Sequence, residues 1–158
     1  ARIIKGACMF VNRILLRRFV RQITILGKGG EAKMIRGLET VLLFSQNATK
    51  LAAFYKNVVG LKSGMEAVMG EHDEAMFEFK LGNCSLVVMD HSEIKGKSKE
   101  PKRFMMNLEV SDIEKEVARL KKKKVRVIAG IYHIQDYGYI ATFEDPDGNY
   151  FQFVQVRA

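Results

Sequence analysis

The chain has 158 residues, 47% of them hydrophobic, enough to bury one sizeable core as a single folded domain. Its net charge of +8 invites a nucleic-acid reading, but residues 1–33 alone hold eight Lys or Arg against one Glu, a net of +7. The remainder is nearly neutral, so nucleic acid is not an expected partner.

The two cysteines, Cys8 and Cys84, make neither a disulfide framework nor a pair at metal-ligand spacing, which points to a reducing, cytoplasmic setting. Residues 1–36 form a basic extension. From Phe10 to Ile25, apolar residues alternate with Arg13, Arg17, Arg18 and Arg21, which break any run long enough to cross a membrane. Two readings stay open: an amphipathic segment acting as an address or surface anchor, or an added leader. Gly27, Gly29 and Gly30 make a flexible link, and Met34 stands where a natural start would fall.

From residue 37 the chain falls into regular units. Residues 38–45 read as an apolar strand. Asn47 then caps a helix through Leu51, Phe54, Tyr55 and Val58, stopped by Gly60. Strands follow at 65–69, 75–81 and 84–90, separated by a polar turn at 70–73 and by the Gly82-Asn83 turn. The lysine-rich stretch 92–103 lacks hydrophobic periodicity and reads as a linker.

The order then restarts. Residues 104–110 read as a strand, and Asp112 caps a helix through Val117 and Leu120. The four lysines at 121–124 offset the dipole at its C-terminal end. Strands at 125–131, 137–143 and 150–156 complete the chain. Between the last two lies Asp145-Pro146-Asp147-Gly148-Asn149, a tight turn in which proline fixes the second position and glycine takes the left-handed one. Asn47 falls on Asp112 at an offset of 65, and Gly82-Asn83 on Gly148-Asn149 at 66, so the chain is an internal repeat. Module 1 covers 37–91 and module 2 covers 104–158.

This repeat, with Phe54-Tyr55 ahead of Val59-Gly60-Leu61, Val110 and Asp112 opening the second helix, Tyr137-Gly138 and the Asp-Pro-Asp-Gly-Asn hairpin, resembles the vicinal oxygen chelate superfamily of glyoxalases, bleomycin-resistance proteins and extradiol dioxygenases. The resemblance implies an α+β fold. Two βαβββ modules would form a half-open, cup-shaped mixed sheet with helices outside and ligand inside. It also implies a homodimer.

Metal-dependent members carry one ligand on each of four inward-facing strands. Seven residues before each cap stand Thr40 and Met105, and four past the turn glycines stand Leu86 and Gln152. A leucine and a methionine are poor partners for a catalytic divalent metal, so neither metal nor other cofactor is expected. Glu109 is an acid of correct parity at the pocket mouth, where His133 and Tyr137 are also expected. His72 reads as part of a solvated turn, His91 has no paired ligand, and Cys84 reads as a structural thiol.

By alternation, Thr40, Leu42, Phe44, Leu86, Val88, Met105, Asn107, Gln152 and Val154 should line the cup. Such a lining suits a small, largely apolar organic molecule oriented by Thr40, Asn107 and Gln152. The expectation is metal-free binding or sensing in the manner of the bleomycin-resistance branch. The alternative is a metal-dependent glyoxalase-type lyase or dioxygenase.

Overall fold

The computed structural model describes residues 35–156; the arginine-studded leader, Cys8 and Met34 lie outside the described residues. The unit that begins at Leu38 holds two β-α-β-β-β runs. In the first, β1 (Thr40–Ser45) leads to α1 (Ala48–Phe54) and then to β2 (Ser63–Met69), β3 (Glu74–Leu81) and β4 (Cys84–Asp90). In the second, β5 (Met106–Glu109) leads to α2 (Ile113–Lys122), β6 (Arg126–Ile134), β7 (Gly138–Glu144) and β8 (Tyr150–Val156). The fold is α+β, with two four-stranded mixed sheets ordered β1-β4-β3-β2 and β5-β8-β7-β6.

Local chemistry sets the element ends. The Asn47 side chain accepts from the Lys50 amide at 2.9 Å, and Asp112 accepts from the Lys115 amide at 3.0 Å, each satisfying an orphan donor of a first helical turn. α1 widens into a π-helical turn over Tyr55–Val59, whose first carbonyl accepts from both Gly60 and Leu61. Gly60 ends it at φ 93°, a conformation that favours glycine. In each module the crossover through the helix lets the first strand pair in parallel with the last, β1 with β4 and β5 with β8.

Each sheet turns one face to the helices. Tyr55, Leu51, Phe79, Leu86 and Val88 from module 1 pack in one cluster with Val117, Leu120, Phe143, Phe151 and Phe153 from module 2. Phe151 sits at its centre, within 6.0 Å of the rings of both Phe54 and Tyr55. The two modules therefore share a single core.

Polar bonds reinforce that joint. The Tyr55 hydroxyl donates to Asp145 Oδ2 at 3.0 Å, and the Ser45 hydroxyl donates to Asp147 Oδ2 at 2.6 Å, so the turn between β7 and β8 docks on module 1. Within the turn, Asp145 Oδ1 accepts from the amides of Asp147 and Asn149, and Gly148 at φ 78° donates its amide to the Asp145 carbonyl. On the other side, the Arg119 guanidinium donates to the carbonyls of Val58 and Val59 at 2.6 and 2.8 Å, and Lys123 donates to the carbonyl of Asn57. Module 2 thus caps the C-terminal end of module 1's helix.

Candidate functional site

The inner face lies opposite the helices. On β1, Val41 and Leu43 pack on the shared core, leaving Thr40, Leu42 and Phe44 on the inner face. Leu42 is 56% exposed, and Phe44 meets the His91 ring edge-on at 5.0 Å. The Thr40 hydroxyl donates to the neighbouring Glu39 carboxylate.

The β1–β4 register sets Thr40 opposite Ser85, Leu42 opposite Val87 and Phe44 opposite Met89. Residues paired across a ladder share a face, so the inner residues of β4 are Ser85, Val87 and Met89. This corrects the expectation for Leu86 and Val88, which pair with Val41 and Leu43 and are buried in the core at 1% and 0% exposure. The cause is hairpin length. Only Gly82 and Asn83 separate β3 from β4, whereas five residues separate β7 from β8. Matching the turn glycines therefore carries a one-residue slip into the following strand, which exchanges its faces. The helix-cap offset of 65 leads from Gln152 to Val87.

In module 2, Asn107 pairs with Gln152 and Glu109 with Val154, and these share the inner face with Met105. Gln152 is only 8% exposed, and its amide Nε2 donates to Thr142 Oγ1 at 2.8 Å and to the Tyr132 hydroxyl at 3.5 Å. Asn107 Nδ2 reaches the Tyr137 hydroxyl at 3.5 Å. Tyr132 and Thr142 are absent from the sequence-derived set. Thr142 follows from the alternation of β7, but two irregularities in the β6 ladder obscure the facing of Tyr132.

His133 is not at the mouth of the cup. It pairs with Tyr139, which pairs with Gln155, and the Gln155 side chain accepts from the Ile113 amide at the start of α2. That is the helix face, where the His133 and Tyr139 rings lie 5.0 Å apart.

One opening follows the seam between modules. Among the described residues β1 pairs only with β4, and β5 only with β8, and their other edges flank a cleft of about 690 Å³. Leu38, Val41 and Leu81 line one side, and Phe104, Met105 and Leu108 the other. Its polar lining comes from Cys84, Ser85, Asn107 and Glu109. The Ser85 hydroxyl is engaged by Glu78 at 2.8 Å.

The perturbed titratable groups lie elsewhere. Burial pushes the Asp145 carboxyl above the ordinary aspartate range, opposed by hydrogen bonds from Asn149 and Tyr55. Burial, followed by the charge of Asp145, raises the Tyr55 hydroxyl well above its usual value. The Lys97 hydrogen bond, with help from Arg126, holds Glu144 below the glutamate range against the effect of burial. Tyr55 and Asp145 join the two modules, Glu144 pairs within module 2 and with the linker, and none of the three lines the seam cleft.

Residues 37–153 match the family model described as Glyoxalase/Bleomycin resistance protein/Dioxygenase superfamily. The chain belongs to this superfamily. It is 32% identical over 104 residues to mitochondrial methylmalonyl-CoA epimerase of Bos taurus, covering 61% of this chain and 59% of that protein. Among solved structures, TnmS3, an antibiotic binding protein from Streptomyces sp. CB03234, superposes with a TM-score of 0.65 at 24% identity, covering 80% of this chain and all of that one. The trypanothione-dependent glyoxalase I of Leishmania major gives 0.62 at 16% identity, covering 77% of this chain and 87% of that one. Identities this low establish the shared fold alone.

Counted by the resemblance to metal-dependent members, with β4 corrected, the four ligand positions would fall on Thr40, Val87, Met105 and Gln152. Gln152 is a residue type such members use, but an isopropyl group and a thioether supply no hard donor, and one amide with one hydroxyl is too little to hold a catalytic divalent ion. Among the described residues no three His, Cys, Asp or Glu side chains are grouped to hold one elsewhere. Among the same residues, no helix is long and apolar enough to cross a membrane.

Proposed function

We propose that this superfamily member binds a small, largely apolar organic molecule without a metal, in the concave face and the seam cleft that opens beside it. The observation that carries the reading is that none of the four strand positions, Thr40, Val87, Met105 and Gln152, supplies an imidazole or a carboxylate, beside an apolar opening of about 690 Å³. Leu42, Phe44 and Met105 supply exposed apolar surface, and Asn107 and Gln152 supply orientation. Likeness in fold to an antibiotic binding protein supports the same class. The protein works as a symmetric homodimer in a reducing, cytoplasmic setting.

A neutral apolar fluorophore, N-phenyl-1-naphthylamine, tests this. Saturable binding should survive chelator treatment and weaken at least about tenfold in Met105→Glu, because an unpaired carboxylate among apolar groups disfavours the ligand. Sedimentation of the same preparation should give a two-chain mass. Loss of binding on chelation, restored by Ni, Zn or Mn, would overturn the metal-free reading.

The second reading, metal-dependent lyase, dioxygenase or epimerase chemistry, is favoured by the 32% identity to the bovine epimerase. It would require turnover that rises with added metal and is lost with chelator.

A further inference from the structure

The charge distribution in the seam cleft goes beyond a generic apolar site. Among the described residues that line it, Glu109 is the one charged group, and no Lys or Arg reaches it. The Glu109 carboxylate makes no hydrogen bond or ion pair among the described residues, although nearby polar groups do: Ser85 is held by Glu78, and Asn107 by Tyr137. Its side chain shares the inner face with Val154 and Asn107, beside Met105 and Phe104.

We infer that the cleft selects a cationic amphiphile, with its apolar body against Phe104, Met105 and Val41 and an ammonium or amidinium group on the Glu109 carboxylate. This rests on the binding reading above and narrows its ligand class. A neutral molecule filling the cleft would strip water from Glu109 and leave the charge without a partner. An anion would add like-charge repulsion. A cation replaces the lost water with a charge-assisted hydrogen bond, so a single residue selects for one ligand and against the other two. Glu109 is thus a specificity-determining residue whose role needs no metal.

The experiment compares two probes that differ only in charge: dansylcadaverine, which carries a primary ammonium, and its N-acetyl derivative, which is neutral. Fluorescence titration of the full chain should give the amine an affinity about three- to tenfold higher, a gap that narrows in about 0.5 M salt as the charges are screened. Glu109→Gln should erase the gap by weakening the amine and strengthening the acetylated probe, which no longer strips water from a charge, while the melting temperature stays unchanged. Glu109→Lys should reverse it and favour the anionic probe 8-anilinonaphthalene-1-sulfonate. Equal binding of the two dansyl probes to the native protein, or a preference for the amine that persists in Glu109→Gln, sinks the charge selectivity alone. Failure of both dansyl probes and of N-phenyl-1-naphthylamine sinks the binding reading with it.

Discussion

The two modules repeat one another in element order, yet their inner faces have diverged. In module 1 that face exposes Leu42 and Phe44 beside Val87 and Met89, with Ser85 donating to Glu78 as its polar pair. In module 2 it carries a hydrogen-bonded row, Tyr132 to Gln152 to Thr142, of which Gln152 and Thr142 are buried. The β1–β4 ladder runs over six residue pairs and the β5–β8 ladder over four. A duplicated fold thus divides its work: one face offers surface for an apolar body, and the other fixes polar groups in position. The helix faces, by contrast, merge into one core.

The strongest way to break this comparison is to separate the halves. Asp145 accepts from the Tyr55 hydroxyl, the Asp147 and Asn149 amides and the Asn149 side chain. Asp145→Ala should cost about 3 kcal/mol in urea unfolding, because several buried donors lose their acceptor together. A loss below about 1 kcal/mol would mean that the halves hold together without this joint.

The contrast between inner faces can be sharpened by matched truncations. Thr142→Val should cost about 1–2 kcal/mol by leaving the Gln152 amide short of an acceptor. Leu42→Ala should cost under about 0.5 kcal/mol, yet weaken apolar-probe binding about threefold. Equal stability losses at the two sites would erase the distinction.

A smaller effect appears in pH dependence. Glu144 titrates below the ordinary glutamate range when folded, so its stabilisation is full above that range and is lost as pH falls through the lowered value. Asp145 is shifted upward, so its contribution is present below the aspartate range and is lost as pH rises through the raised value. Adjacent residues therefore act in opposite senses. Melting temperatures from about pH 7 to 3 should fall less steeply in Glu144→Gln than in the native chain, since only the acid-sensitive contribution is removed.

The elements were legible because their punctuation is chemical: Asn47 and Asp112 cap the helices, Gly60 stops the first, and Gly148 closes the last hairpin. Alternation within a strand was legible too, as β1 and β8 illustrate. What could not be read was the phase between strands, because it depends on loop length. One residue of slip between unequal hairpins exchanged Leu86 and Val88 for Ser85, Val87 and Met89. Irregular pairing in β6 hid Tyr132 and misplaced His133 in the same way. The seam cleft was out of reach for a different reason, since it arises where two strand edges from distant parts of the chain fail to pair.

The cap that Arg119 and Lys123 place on module 1 also bears on how the chain folds. α1 has only seven residues, too few to persist in water alone, and the carbonyls of Asn57, Val58 and Val59 receive these donors from 60 to 66 positions downstream. A nascent chain that has emerged only as far as β4 therefore holds a first module whose helix is unfinished. Such a half-made chain exposes the apolar residues that Phe151 will later cover, so it depends on completing synthesis of the second module before its own first helix is secure.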